Sequence, residues 1–162
     1  MTHGHAGHTP LSLAANPPAT RCNDLAAFLT PKSEVVWVSA TGTIEQALER
    51  MKPNGFAAVP ILDDDGCYVG TLSTSDVLWY LVDAKNAWQE RARTTALLMV
   101  PRRLNGPSVH IDSSVATLVA RAIEQSFVPV VGVRNVFIGI VRRRPVLEYC
   151  ARLSALAVRG TL

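Results

Sequence analysis

Hydrophobic residues along the chain change from strand-like to helix-like spacing and back, and this order occurs twice. In the first unit, the β-branched and aromatic run Val35–Val38 predicts a strand. Residues 44–51 carry apolar side chains at i, i+3, i+4 and i+7 and predict a helix that ends near Lys52. Thr43 and Gln46, at the start of this helix, have the spacing of a capping box.

Two further strands and a helix complete the first unit. AAVPIL and YVGTL predict strands joined at Asp65-Gly66, a sequence typical of hairpin turns. A helix follows Ser75, and three of its apolar residues are expected to face inward: Val77, Leu78 and Leu81. Upstream, DLAAFL predicts a short helix that Pro31 ends.

The second unit repeats the order strand, helix, strand, strand, helix. Val109–Ile111 predicts a strand and Ser114 an N-cap. The buried stripe of the following helix is predicted at Val115, Leu118, Val119 and Ala122. Strands are predicted at 128–133 and 136–141, around a turn at Arg134-Asn135, and Pro145 opens the last helix. Between the units, residues 85–96 predict a polar linker that leads into a short helix at Leu97–Val100.

The two units are copies of one repeat. Pairing Phe56 with Phe127 gives an offset of 71 residues, and pairing Gly70 with Gly139 gives 69. We therefore predict that the second copy lost two residues in the turn between its strands, where deletions are tolerated. Because one unit alone would leave an apolar face in water, we expect two β-α-β-β-α repeats to pack as one pseudo-symmetric α+β domain.

Composition and charge limit the functions of such a domain. The chain is 48% hydrophobic and 18% charged, with no membrane-length apolar run and no secretory signal, so we expect a cytoplasmic globular protein without membrane contact. Three widely spaced cysteines, Cys22, Cys67 and Cys150, indicate neither a disulfide framework nor a thiolate metal site.

Positive charge is concentrated in the second half of the chain. Residues 1–99 hold seven Lys and Arg against ten Asp and Glu, a net −3, whereas residues 100–162 hold nine Arg against three acids, a net +6. This imbalance favours an anionic partner in the second half. Nucleotide phosphates, nucleic acid and an acidic protein all satisfy it.

The repeats resemble the cystathionine-β-synthase-type (CBS) domain, whose tandem pair is called a Bateman module. The first repeat carries the resemblance in VSATGTIEQALERM, GFAAVPILDDDGCYVG and TLSTSD, and the second carries it more loosely in VHIDSSVATLVARAI, SFVPVV and FIGIVRRR. The chain is especially similar to stand-alone bacterial CBS-pair proteins. It then divides into a flexible tail (1–22), a first repeat (23–84), a linker (85–96), a second repeat (97–153) and a C-terminal tail (154–162).

The resemblance implies an adenine nucleotide, AMP, ADP, ATP or cyclic di-AMP, bound in the cleft between the repeats. By matching positions, Asp76 takes the ribose hydroxyls and Ser73 touches ribose or phosphate. The residues that hold the base match Val36, Ala57 and Ala58, and Val128 belongs to the same binding set. The residues themselves leave another interpretation open, because Ser-x-x-Asp at a helix start is often only an N-cap.

The second repeat departs from the family pattern at this place. Arg142 stands where Thr or Ser is expected, and Pro145 stands where the ribose aspartate is expected. Arg142, Arg143 and Arg144 oppose the dipole of the following helix, so we expect either phosphate or the acidic first half of the chain to compensate them. Strand alternation predicts Arg142 and Arg144 on one side and Arg143 on the other. In relatives that bind cyclic di-AMP, the arginines matching Arg143 and Arg144 face the ligand.

The leading functional hypothesis is a non-catalytic regulatory module that senses an adenine nucleotide and relays it to an unknown effector protein. The alternatives are a ligand-free interaction module that uses the Arg-rich repeat and, more weakly, nucleic-acid binding. No catalytic constellation, obligatory cofactor or metal site is indicated. Asp63–Asp65 fits a hairpin turn. The tail histidines His3, His5 and His8 have no carboxylate or thiol beside them to complete a metal site. The resemblance implies a homodimer, for which the C-terminal helices supply Leu78, Trp79, Leu81, Val82 and Leu147.

Overall fold

The computed structural model describes residues 25–102 and 106–159, and the side chains of 25–102 and 106–156. The predictions made for the tail at 1–22, including its histidines and Cys22, lie outside these residues. Cys67 and Cys150 are free thiols, each half-buried.

The described chain is an α+β fold of two β-α-β-β-α repeats. Its strands are β1 (Leu29–Pro31), β2 (Val38–Ser39), β3 (Ala58–Leu62), β4 (Tyr68–Ser73), β5 (Val109–His110), β6 (Phe127–Val131) and β7 (Phe137–Arg142). Its α-helices are α1 (Ile44–Met51), α2 (Thr74–Val82), α3 (Trp88–Thr94), α4 (Val115–Glu124) and α5 (Arg143–Arg159). Short 3-10 turns lie at Leu25–Phe28, Lys32–Glu34, Lys52–Asn54, Lys85–Ala87, Leu97–Met99 and Val133–Asn135.

The strands form two sheets, one for each repeat, and one strand from the start of the chain joins the sheet of the second repeat. One sheet has the order β2-β3-β4 and the other β1-β7-β6-β5. Strand β1 lies at the start of the first repeat, ahead of its β-α-β-β-α unit, yet it pairs antiparallel with β7 of the second repeat, with Leu29 opposite Val141. The helix predicted over residues 24–29 is therefore wrong beyond Phe28, because pairing with β7 extends the backbone there. Pro31 is tolerated because β1 is an edge strand.

Strand register corrects the alignment of the two repeats. Ala58 pairs with Ser73 and Phe127 with Arg142, so equivalent positions in these hairpins differ by 69. The preceding helices begin at Ile44 and Val115 and differ by 71. The two residues were lost between helix and strand, and the prediction that they were lost in the hairpin turn is wrong. In the first repeat this connection contains the Lys52–Asn54 turn, whose C-cap Gly55 has a φ of 60°.

The predicted N-caps of α1 and α4 are confirmed. Thr43 Oγ1 accepts from the backbone N–H of Gln46 at 3.4 Å, and the Gln46 side chain accepts from the N–H of Thr43 at 3.0 Å. Ser114 Oγ accepts from the N–H of Thr117 at 3.2 Å. In the predicted apolar stripes of α1 and α4, Leu48 and Val119 are half-buried against the core. The other positions are buried, at Ile44, Ala47, Met51, Val115, Leu118 and Ala122.

Helix α2 begins earlier than its sequence indicates, with Ser73 and not Ser75 as its N-cap. Val77 is buried and Leu81 is partly buried in the core of the first repeat, but Leu78 is 56% exposed. The prediction that Leu78 faces inward is wrong, because consecutive helical residues point about 100° apart and Val77 takes the inner side.

The segment predicted as a linker contains a helix of the first repeat. Helix α3 packs against α1 and α2 and buries Ala92, which is 5% exposed. The chain then returns to the start of α1, where the N–H of Leu97 donates to the carbonyl of Gly42 at 2.9 Å. Helix α5 continues past residue 153 to Arg159. The helix begins at Arg143, so the prediction that Pro145 opens it is wrong. Pro145 is tolerated in the first turn because N–H groups there need no partner within the helix.

The hairpin tips hold the repeats together. The N–H of Phe137 donates to the Gly66 carbonyl at 3.0 Å, and Asn135 Nδ2 donates to the Tyr68 carbonyl at 2.6 Å. At the predicted turn Gly66 has a φ of 77°, and Asp63 Oδ1 accepts from the N–H of Cys67 at 2.8 Å. Among the described residues, no group of His, Cys, Asp and Glu side chains is arranged to hold a metal ion.

Tyr68 links the first hairpin to the segment that enters the second repeat. Its hydroxyl donates to the Gly106 carbonyl at 2.5 Å and contacts Thr71 Oγ1 at 2.7 Å. Burial raises the pKa of Tyr68 to about 12 from an ordinary 10.0. The native state therefore disfavours the phenolate that the unfolded chain forms above about pH 10.

This shift predicts an alkaline loss of stability. The contribution of Tyr68 is fully present below pH 10 and declines as pH rises toward the folded-state pKa, by roughly 2 to 3 kcal/mol in total. Urea unfolding between pH 9 and pH 11 should show the decline, and Tyr68→Phe should have a flatter profile over that range. An equally steep profile in the variant would assign the effect to another group.

Candidate functional site

A cavity of about 460 Å³ lies between the two repeats. Three parts of the fold form it: the segment after the Lys32–Glu34 turn, the start of β3, and the junctions of β6, β7 and α5. Its lining consists of Glu34, Val35, Val36, Phe56, Ala57, Ala58, Val59, Pro60, Ser126, Phe127, Ile140, Arg142, Arg143, Arg144 and Leu147. We refer to it as the inter-repeat cleft.

One side of the inter-repeat cleft is apolar and made of small residues. Val36, Ala57 and Ala58, which the sequence predicts as base-holding positions, all line it. The N–H of Thr74 fixes this side by donating to the Ala57 carbonyl at 2.8 Å. Small side chains beside an ordered backbone leave space for a flat ring.

The other side carries three arginines, Arg142, Arg143 and Arg144, which all line the cleft. Strand alternation does not extend across all three, because β7 ends at Arg142 and helix α5 begins at Arg143. Arg143 is half-buried, and its Nε donates to the Gln125 carbonyl at 2.8 Å. This bond holds the guanidinium in place before any ligand arrives.

The outer two arginines differ in their partners. Arg144 Nε lies 2.8 Å from Glu148 Oε1, one helical turn along, and its side chain is 89% exposed. The hydrogen bond and the charge of Glu148 raise the pKa of Arg144. Within the described residues, neither of the other two arginines forms an ion pair, and none of the three pairs with the acidic first half. Among the described acidic residues, only Glu148 compensates the arginine charge that an anion in the cleft would meet.

Ser73 and Asp76 lie outside the cleft lining. They form a capping box at the start of α2, in which Ser73 Oγ donates to Asp76 Oδ2 at 2.6 Å and accepts from the N–H of Asp76 at 3.1 Å. Asp76 is only 5% exposed. Val128 is fully buried in the core of the second repeat and also lies outside the lining. The structure thus brings together the predicted base-holding and arginine positions, but not the predicted ribose pair.

Comparison with known proteins identifies the architecture. Residues 25–83 match the family model of the CBS domain. This segment is a CBS domain. The second repeat shares its fold, so the chain has the architecture of a CBS pair. A search of curated proteins found no match.

Several solved structures share this fold. CbpB of Listeria monocytogenes, in complex with c-di-AMP, is 25% identical with a TM-score of 0.72, and the match covers 83% of this chain and 99% of that chain. A hypothetical conserved protein of Geobacillus kaustophilus is 27% identical with a TM-score of 0.70, over 78% of this chain and 95% of that one. CBSX2 in complex with AMP is 21% identical with a TM-score of 0.62, over 81% of this chain and 98% of that one.

Several residues of the inter-repeat cleft were not predicted from the sequence. Phe127 is equivalent to Ala58 by strand register, which the false alignment of Phe56 with Phe127 concealed. Ser126 lies beside it and accepts from the N–H of Arg143 at 3.1 Å through its carbonyl. Glu34 ends an irregular turn with no periodic pattern. Aligning the two hairpins with the offset of 69 residues would have indicated Phe127 as the equivalent of Ala58.

A second groove of about 730 Å³ lies on the helical side of the CBS domain, between α1 and α3. Its floor includes Leu48, Met51 and Ala92, and Trp88 at its edge is 48% exposed. Phe56 and Ala57 line both this groove and the inter-repeat cleft. The connection between α1 and β3 is thus a shared wall.

None of the helices that the structure describes has the length and apolarity needed to cross a membrane.

Proposed function

We propose that this protein is a non-catalytic regulatory module that binds an adenine nucleotide in the inter-repeat cleft. The observation that carries the proposal is that three arginines and a small-residue apolar wall line one cavity of about 460 Å³. This volume lies in the range of small-molecule sites. A nucleotide combines the two matching chemistries, a flat apolar base and an anionic phosphate.

The chemistry of each side supports this assignment. Guanidinium groups bind phosphate oxygens with paired, charge-assisted hydrogen bonds. The first turn of α5 lies at the same place, and the positive end of its helix dipole favours an anion. CbpB binds c-di-AMP and CBSX2 binds AMP within the same architecture. We therefore propose c-di-AMP and AMP as the first ligands to test.

Regulation requires that the ligand change a surface that a partner contacts. The shared wall at Phe56 and Ala57 provides a route from the cleft to the groove between α1 and α3. We propose this groove as the output surface toward an effector protein.

A homodimer is proposed through exposed apolar residues of α2 and α5, namely Leu78, Trp79, Val82 and Leu147, which are 52–56% exposed.

Calorimetric titration with c-di-AMP, AMP and ATP tests the proposal directly. At least one should bind with a 1:1 ratio per chain and raise the melting temperature. Binding should also change tryptophan fluorescence, and Trp88→Phe should reduce that change without altering affinity, because Trp88 lies in the groove and not in the cleft. Absence of heat and of thermal stabilisation with all three ligands would refute nucleotide sensing. It would favour an interaction module that docks an acidic partner on Arg142 and Arg144, which are exposed.

A further inference from the structure

Among the described residues that line the inter-repeat cleft, one is acidic, Glu34. Three arginines line the same cavity, yet none of the ion pairs found within 4.0 Å among the described residues includes Glu34. No described arginine of the cleft therefore neutralises the Glu34 carboxylate through an ion pair. An anionic ligand that fills the cleft would contact cations in one part and a hydrogen-bond acceptor in another.

The backbone around Glu34 fixes where its carboxylate begins. Glu34 ends the Lys32–Glu34 turn, in which the N–H of Val35 donates to the Lys32 carbonyl at 3.2 Å. The turn follows β1, which the second sheet holds by pairing with β7. Val35 and Val36, the next two residues, belong to the apolar wall. Glu34 therefore lies at the exposed edge of the surface on which a base would rest.

Glu34 is exposed at the edge of the cleft, so its carboxylate is free to exchange water for a hydrogen-bond donor of the ligand. A nucleotide offers its ribose hydroxyls between the base and the phosphate, so a base on the apolar wall and a phosphate at the arginines leave the ribose between them. Carboxylates are strong acceptors for hydroxyl groups. Asp76, the carboxylate expected for this role, is bound within its capping box and is 5% exposed. Pro145, at the equivalent position of the second repeat, has no carboxylate.

We propose that Glu34 is the specificity residue that accepts a hydrogen bond from the 2′-hydroxyl of the bound adenine nucleotide. This inference rests on the proposed function of the cleft and adds which group reads the sugar. The protein then distinguishes ribonucleotides from 2′-deoxyribonucleotides through Glu34 and not through Asp76. The sugar-reading and phosphate-reading groups consequently lie in one cleft.

The test measures the affinity ratio of each ribonucleotide to its 2′-deoxy counterpart, with AMP and c-di-AMP as the probes. Wild-type protein should prefer the ribonucleotide by about tenfold, as for a hydrogen bond to a charged acceptor. Glu34→Gln should lower that ratio toward about threefold and Glu34→Ala toward one, while the affinity for the 2′-deoxy ligand stays within about twofold. Glu124→Gln, an exposed carboxylate on α4, is the matched control and should keep the wild-type ratio.

The outcomes separate the two proposals. If wild-type protein binds a nucleotide but both Glu34 variants keep the full ratio, Glu34 does not read the ribose and this inference alone fails. Loss of the ratio in Asp76→Asn, with retention in Glu34→Ala, would assign the role to Asp76 instead. Equal wild-type affinity for both sugars would also overturn the role of Glu34. If no adenine nucleotide binds the wild-type protein, the proposed function fails as well.

Discussion

Replacing Arg143 by alanine is expected to weaken nucleotide binding by about 30- to 100-fold, the largest effect of any single change in the cleft. Arg143 is the half-buried member of the arginine triplet, and the Gln125 carbonyl already orders its guanidinium at 2.8 Å. A charge held in position loses little conformational freedom when a phosphate binds. Calorimetry with the best nucleotide measures the loss.

Arg144→Ala provides a graded comparison. Its side chain is 89% exposed and already paired with Glu148, so its loss should weaken binding less than about fivefold. Arg121→Ala, an exposed arginine of α4 outside the cleft, should leave affinity unchanged. Arg143→Lys keeps the charge and separates loss of binding from loss of folding, with melting temperatures as the check. Equal losses for Arg143→Ala and Arg121→Ala would contradict an anion site at the cleft.

Alanine at Gly139 is expected to destabilise the protein by about 3 kcal/mol and to lower its melting temperature by roughly 6–12 °C. A Cβ at this position would overlap the backbone carbonyl oxygen of Thr30 and also crowd Pro31, because β1 crosses close to β7 there. Backbone atoms of a paired strand cannot move aside without breaking the pairing. Urea unfolding monitored by circular dichroism gives the change in the free energy of unfolding.

Gly70 is the matched control, because it occupies the equivalent position of the first repeat. A Cβ there would meet the guanidinium end of Arg102 at 2.7 Å, and a flexible side chain can shift at low cost. Gly70→Ala should therefore cost about 1 kcal/mol or less. If the two substitutions cost the same, the close approach of β1 is not what requires glycine at Gly139.

The sequence predicted those parts of the fold that depend on local periodicity. The stripes of α1 and α4 and their caps at Thr43 and Ser114 are all present. Parts that depend on contacts distant in sequence were not predictable. The Leu29–Pro31 segment is short and ends in proline, so no local signal indicates that it pairs with β7. Helix α3 was hidden because a helix with one buried alanine, Ala92, has no visible apolar stripe.

The candidate site was predictable to a similar extent. Val36, Ala57 and Ala58 share a cavity with the arginine triplet, as their motif positions imply. Asp76 is the clearest departure, because Ser-x-x-Asp satisfies the start of α2 internally and its carboxylate is buried there. Sequence spacing alone gives the same pattern for a helix cap and for a sugar ligand. Glu34 was missed for the opposite reason, since it lies in no motif.

The pairing of β1 with β7 has a consequence for the order in which the protein is made. Leu29 lies opposite Val141, so a growing chain exposes β1 to solvent while the next 112 residues are still being synthesised. The sheet β2-β3-β4 is complete well before that point. We therefore expect the first repeat to fold during synthesis, before the second repeat has been made. Strand β1 should dock only after the β6-β7 hairpin has left the ribosome.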